Sequence, residues 1–286
     1  MEAEAFLRIA FRDLPDNLAE ILQSGSHTKG KSFAQRCTDA YNREPGTLTG
    51  YDCPMCKNKG SVAYVGEDGE CHERRCSCMV KRNAIRRAKA SGMGKQLEKS
   101  FDNFTVGSPF QHDLYKVASE FADTVAHGDV CWLLTCGQSG CGKTHICSAA
   151  CNQLLEQGYD VYYMPWVYEI TELKRTRYQE GTQYDNRLHR MKNCQVLYID
   201  DLFKLGKDEK GNKKEPSSAD IELAIDLLNF RLNSERVTVI STEWMVQDLL
   251  RIDEAVTGRI LEMCQGCIMQ VTPDSRKNYR LRGLIG

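Results

Sequence analysis

Residues 137–144 read Gly-Gln-Ser-Gly-Cys-Gly-Lys-Thr, the G-x-x-x-x-G-K-[ST] spacing of a phosphate-binding loop. Gly137, Gly140 and Gly142 let the backbone turn so that successive N–H groups, those of Gln138, Ser139 and Cys141 among them, face phosphate oxygens. Lys143 brings a positive charge to the β- and γ-phosphates, and the Thr144 hydroxyl is placed to ligand Mg²⁺, with His145 beside it. The flanks suit the motif. Val130-Cys-Trp-Leu-Leu-Thr-Cys136 has the pattern of a buried strand, and Thr144–Leu155 reads as a helix whose N-terminus favours anions. A chance match in a glycine-rich turn would not bring strand and helix into register together.

A second constellation follows. Val196-Leu-Tyr-Ile-Asp-Asp-Leu-Phe203 is an apolar strand ending in two adjacent carboxylates, a Walker B pattern. Asp200 is the expected Mg²⁺ ligand, and Asp201 the expected orienter or general base for the attacking water. The bland alternative is that both merely cap the strand. The chemistry implied is binding and hydrolysis of a nucleoside triphosphate.

The cysteines make a third. Cys53-Pro-Met-Cys56 and Cys76-Ser-Cys78 stand on either side of residues 57–75. Between them Ser61–Val65 and Glu70–Arg74 flank Gly66-Glu-Asp-Gly69, a hairpin signature. Two thiol pairs at the base of a hairpin suit a tetrahedral Zn²⁺, which would supply folding free energy to a region too small for a sizeable core. Cys71 and His72 are rival ligands; free thiols, a redox pair or an iron–sulfur cluster are the other readings. Cys264-Gln-Gly-Cys267 has the same spacing without a second pair and is expected to straddle a helix end and a strand start.

The elements that must position these groups alternate along the chain. Strands are expected near 130–136, 160–165, 195–200, 236–241 and 267–272 with helices between them, an α/β core with a five-stranded parallel sheet covered on both faces. Before it come a polar segment, residues 1–50, with short helical periodicity (Leu18, Ile21, Leu22), the cysteine hairpin at 51–80, and a basic linker helix at 81–105; the core domain occupies 106–286. Lys204–Pro216, rich in Lys and Gly, is expected to be a mobile loop, with Ser217 capping the helix that follows.

Composition bounds the partners. The 38 basic and 39 acidic residues nearly cancel, so nucleic acid would have to be met by local patches. Lys81, Arg82, Arg86, Arg87, Lys89, Lys95 and Lys99, opposed by Glu98, form one such stretch; Lys174, Arg175 and Arg177 form another. Each reads either as a solvated face or as a phosphate-backbone contact. Apolar runs fall far short of the roughly 20 residues of a membrane span. The acidic start Met1-Glu-Ala-Glu-Ala and the 14 cysteines fit a reducing cytoplasm.

Together the loop at 137–144, Asp200-Asp201, the strand Val237-Thr-Val-Ile-Ser-Thr-Glu243 and Ile252-Asp-Glu-Ala-Val-Thr-Gly-Arg-Ile260 resemble the AAA+ ATPases of the DnaC/DnaI helicase-loader family. Phe101-Asp-Asn-Phe104 and the Tyr51-Asp-Cys-Pro-Met-Cys56 opening of the cysteine cluster resemble phage-type loaders. The resemblance spans about residues 50–286. It implies a sheet of AAA+ strand order, ATP as nucleotide, assembly into an open ring or spiral, and delivery of a hexameric replicative helicase onto single-stranded DNA. It also implies that Arg259 serves the neighbouring subunit's site and that Ser241-Thr242-Glu243 holds the sensor position, with Thr242 the candidate. The alternative for Arg259 is a surface pair with Glu254 or Glu262.

Two departures bear on activity. Asp201 stands where many AAA+ enzymes carry Glu, and the shorter side chain implies slow, switch-like hydrolysis. Gly286 follows the fifth strand closely, leaving Arg280 and Arg282 as the arginines nearest a sensor-2 role. Two further readings stand beside the loader: a transposase regulator resembling the IstB ATPases, against which the cysteine cluster weighs, and a nucleotide-dependent DNA-binding module with little turnover.

Overall fold

The computed structural model describes residues 30–177, 182–206, 209, 211 and 213–279 of the chain, which divides into two units, residues 1–83 and 84–286. Leu18, Ile21, Leu22, Arg280, Arg282 and parts of the 204–216 loop lie outside the described residues.

In the first unit, Ser32 accepts a hydrogen bond from the Gln35 N–H (3.1 Å) and so starts helix α1, Phe33–Arg43. Strands β1 (Ser61–Val65) and β2 (Cys71–Arg75) pair antiparallel, Val65 opposite Cys71. The Asn42 amide fastens α1 to β1, donating to the Ala63 carbonyl (2.9 Å) and accepting from its N–H (3.0 Å). Beneath the hairpin, Cys53, Cys56, Cys76 and Cys78 cluster around Val62 with Tyr51 and Met79 against them. Four of the five buried residues in this cluster are cysteines.

Helix α2 (Cys78–Ala90) begins on the last two of these cysteines' segment and continues into the second unit. Its later residues are not free linker. Ala84, Ala88 and Met93 are fully buried with Phe104 in the second unit's core. The alanines are four apart, so one thin apolar edge of an otherwise basic helix packs inward.

The second unit is a five-stranded parallel sheet, ordered β4 (Val161–Pro165), β5 (Val196–Asp200), β6 (Val237–Thr242), β3 (Trp132–Gly137), β7 (Ile268–Val271). This is the AAA+ order. Every residue of β3, β5 and β6 is buried, because helices cover both faces and each alternate side chain meets a different core. On one face Cys131 and Leu133 pack with α3 (Pro109–Ala126) and α4 (Lys143–Glu156). On the other, Trp132, Leu134 and Cys136 pack with α5 (Trp166–Thr176), α6 (Gln183–Asn193), α7 (Ser218–Asn233) and α9 (Glu254–Cys264). Helix α8 (Val246–Ile252) precedes α9.

Ser217 caps α7 as expected, within a capping box shared with Asp220. Cys264 ends α9 and Cys267 precedes β7, the helix-end and strand-start positions expected of them. Arg231 is fully buried, its guanidinium donating to the carbonyls of Met191 (2.8 Å) and Cys194 (3.1 Å) and to the Thr238 hydroxyl (3.0 Å). A buried cation is tolerated there because its donors are satisfied.

Candidate functional site

The phosphate-binding loop lies at the carboxyl end of β3, where a parallel sheet opens toward ligands. Gly137 has φ 130°, and a Cβ there would sit 2.3 Å from the Val271 carbonyl oxygen; at Gly140, φ 80°, it would sit 2.0 Å from the Asn278 side-chain oxygen. Backbone conformation favours glycine at both, and at Gly137 space requires it too, since the clash there is with backbone. Lys143 is buried, with its ammonium donating to the carbonyls of Gly137 (2.7 Å) and Gln138 (2.9 Å). The Gln138 side chain exchanges two hydrogen bonds with the Asp274 backbone, and the Tyr279 N–H donates to the Gly140 carbonyl (2.8 Å).

Beside the loop lies a cleft of about 430 Å³. Its walls include Ser139, Gly140, Cys141, Gly142, Lys143, Thr144, His145 and Asp201 from the residues expected at the site. They also include Glu243 from the expected sensor stretch, Asn103 and Phe104 from the Phe101–Phe104 segment, and Gln96, Gln111, Lys204 and Tyr279, which local spacing did not point to. The segment Ser100–Phe104 packs on His145: Nε2 lies 2.8 Å from Asn103 Oδ1 and 3.1 Å from the Ser100 carbonyl, and the ring meets Phe104 edge-on. Burial, opposed by that carbonyl and aided by Lys99, lowers the His145 pKa.

Asp200 is buried at the end of β5 among hydroxyls. Thr144 (3.2 Å), Tyr198 (2.8 Å) and Ser241 (2.5 Å) donate to Oδ1, and Tyr163 (2.8 Å) donates to Oδ2. A hydroxyl and a carboxylate meeting at the mouth of the phosphate loop are hard oxygen donors of the kind Mg²⁺ selects. Asp201 turns toward the cleft and pairs with Lys204, which also pairs with Glu243, each at 2.9 Å. Burial opposes the charges of Lys204 and Glu243, yet the bonds to Asp201 and Glu243 raise the Lys204 pKa, and the bond to Lys204 lowers that of Glu243.

Thr242 is fully buried; its hydroxyl donates to the Leu202 carbonyl (2.9 Å) and accepts from the Trp244 N–H (3.2 Å). The cleft wall at this position is Glu243, while Ser241 reaches Asp200. Arg259 lies on α9 away from its own chain's cleft walls, donating to the Ala255 carbonyl (2.9 Å). Among the described residues neither Glu254 nor Glu262 forms an ion pair with it within 4.0 Å.

In the first unit, the sulfurs of Cys53, Cys56, Cys76 and Cys78 all lie within 4.8 Å of one another, and all four residues are buried. Cys53–Cys76 and Cys56–Cys78 are 3.7 and 3.5 Å apart. A tetrahedral Zn²⁺ with four thiolates places its sulfurs about 3.8 Å apart, so the set fits. The Gly60 N–H donates to Cys56 Sγ (3.3 Å); burial opposes thiolate formation, but this bond and the neighbouring sulfurs bring the Cys56 pKa down to about 7. The rival donors are occupied elsewhere: Cys71 contacts Thr38 (3.2 Å) and His72 contacts Asp68 (2.8 Å).

The basic stretches are partly committed to structure. Arg87 and Arg190 clamp Asp160 at 2.6 and 2.5 Å, and Arg82 donates to the Thr49 (2.7 Å) and Tyr51 (2.5 Å) carbonyls. Lys174 pairs with Asp220 (2.5 Å), and Arg175 with Glu172 (2.7 Å).

Comparison with known proteins agrees with this geometry. The family model described as IstB-like ATP binding protein matches residues 73–270. The phage-like element PBSX protein XkdC of Bacillus subtilis is 31% identical over 242 residues, covering 82% of this chain and 88% of the relative. The replicative helicase loader DnaC of Escherichia coli is 27% identical over 103 residues, 36% of this chain and 42% of that protein. A crystal structure of the DnaC helicase loader superposes with a TM-score of 0.52 at 22% identity, over 62% of this chain and 98% of that one. Among the described residues no helix is long and apolar enough to cross a membrane. With its AAA+ sheet, its phosphate loop and this breadth of matching sequence, the chain belongs to the IstB-like ATP-binding family, an AAA+ ATPase related to the helicase loaders.

Proposed function

We propose that the chain is an ATP-dependent loader of a hexameric replicative helicase onto single-stranded DNA during DNA replication. The observation that carries this reading is the pairing of an AAA+ ATP site with a separate four-cysteine unit: one part has the chemistry to read nucleotide state, and the other to present a metal-stiffened surface. Similarity to DnaC in sequence and fold supports it. The family description leaves a second reading, a nucleotide-dependent partner of a transposase.

The chain's own residues account for an ATPase cycle. The loop N–H groups and Lys143 bind the β- and γ-phosphates. Thr144 and Asp200 would hold Mg²⁺, which supplies charge neutralisation for the departing phosphates. Asp201 orients the attacking water; as aspartate it holds it less closely than glutamate would, so turnover is slow. Arg259 reaches the neighbouring subunit's γ-phosphate in a ring or spiral. Cys53, Cys56, Cys76 and Cys78 would hold Zn²⁺, which fixes the hairpin.

A loading assay tests the reading. Purified chain, replicative helicase and ATP are mixed on single-stranded DNA coated with binding protein, and unwinding of a downstream duplex is followed. ATP-dependent stimulation supports the loader. No stimulation, with ATP-dependent binding to a transposase instead, supports the second reading.

A further inference from the structure

Beyond β5 the chain turns back sharply. Asp201 and Phe203 both adopt left-handed backbone, φ 59° and 61°. Such conformations in non-glycine residues persist only where surrounding contacts hold them. Here the end of β6 does so: the Leu202 N–H donates to the Ser241 carbonyl (2.8 Å), the Asp201 N–H to the Ser241 hydroxyl (3.0 Å), and the Trp244 indole to the Phe203 carbonyl (3.0 Å).

The pinned turn delivers Lys204 into the cleft. Its ammonium bridges Asp201 Oδ2 and Glu243 Oε1, and all three residues share the cleft with Lys143 and Thr144. Lys143 and Lys99 line the same cleft, but the two carboxylates Asp201 and Glu243 have Lys204 between them. A terminal phosphate held by Lys143 would still meet the repulsion of those carboxylates, which Lys204 would relieve by turning toward it. The Lys204 side chain is 37% exposed, on a flexible stem with three donors, so it has the freedom to turn.

We propose that Lys204 is a same-chain ligand of the terminal phosphate of ATP, and that in taking that phosphate it leaves Asp201 free to orient water. This rests on the reading of the cleft as the ATP site with Asp201 as its water-orienting group. ADP has no third phosphate, so with ADP bound Lys204 remains on Asp201 and Glu243. The same side chain would then distinguish the two nucleotides and hold the water-orienting carboxylate neutralised whenever ATP is absent.

The test compares equilibrium binding of a fluorescent non-hydrolysable ATP analogue and of fluorescent ADP, with Mg²⁺ present, to wild type, Lys204→Met and Lys204→Arg. Loss of a charge-assisted phosphate contact should weaken the ATP analogue about tenfold in Lys204→Met while ADP changes less than about twofold, with Lys204→Arg restoring most of the difference. Equal weakening of both nucleotides, or no change in either, overturns the proposal. Lys204→Gln replaces the methionine variant if its thermal midpoint shows it unfolded. Lys143→Ala, run in parallel, should weaken both nucleotides. If wild type binds neither, the ATP-site reading itself fails, and this proposal with it.

Discussion

The Tyr163 hydroxyl donates to Asp200 Oδ2 at 2.8 Å from the neighbouring edge strand, holding one carboxylate oxygen while the other takes three further hydroxyls. Orienting bonds of this kind usually tune how well a carboxylate binds metal. Tyr163→Phe removes one such bond, worth about 1 kcal/mol. The Mg²⁺ concentration for half-maximal ATP binding should rise about fivefold. An unchanged Mg²⁺ dependence would count against Asp200 as ligand or Tyr163 as its positioning residue.

Lys143 and Asp201 have separable roles. Lys143→Ala should weaken ATP binding at least about tenfold, since one charge-assisted contact contributes roughly 1.5–3 kcal/mol. Asp201→Asn should keep ATP affinity and lose turnover. Titration with a fluorescent ATP analogue, alongside phosphate release, separates the two. Joint loss of both properties in Asp201→Asn would mean that the two neighbouring aspartates do not divide the work.

The purified protein should carry about one zinc per chain, released by Cys53→Ser with unfolding of the hairpin, because structural zinc binding and folding are one equilibrium. ATP binding by residues 84–286 should survive. Elemental analysis that finds iron, or no metal, rejects the four-thiolate zinc site.

Arg259→Ala should leave the ATP affinity of the isolated subunit intact and suppress hydrolysis. Arginine fingers contribute about 10³–10⁵ in rate in efficient GTPases, and a slow switch should lose less. Mixing this variant with Lys143→Ala should recover part of the activity, because an intact loop can then meet an intact arginine across an interface. Failure to recover over a range of ratios, with mixed oligomers confirmed, removes the trans role.

His145 has its pKa depressed below the ordinary 6.5, chiefly by burial. Between that lowered value and about 6.5 the unfolded chain binds a proton that the folded chain refuses. Its contribution to stability is therefore complete above about pH 6.5 and falls away as pH drops through the folded value. Thermal midpoints measured from pH 7.5 to 5 should decline more steeply for wild type than for His145→Gln. Parallel slopes would mean that His145 does not carry the effect.

The strands were legible because helices on both faces force Val, Ile and Leu into unbroken runs, and the expected β5 at 195–200 is observed at Val196–Asp200. The phosphate loop was legible because its glycines answer to local backbone demands. Part of the cleft was not, because Gln96, Gln111 and Tyr279 arrive from distant segments and carry no spacing relative to the loop. In the basic stretch charge alone did not show that Arg87 is committed to Asp160, 73 positions away, or that Ala84 and Ala88 pack inward. Arg231 shows the same limit, since nothing local to it announces full burial.

The exchange between Gln138 and the Asp274 backbone spans 136 positions of sequence, and Tyr279 closes on Gly140 from the same segment. The phosphate loop therefore reaches its final shape only after β7 and the residues beyond it have docked. Such distant closures form late, since the intervening chain must first lose its freedom. On the ribosome, a nascent chain that has already formed β3 and α4 would still lack a finished grip on phosphate, so the capacity to bind ATP matures with the last part of the domain to fold.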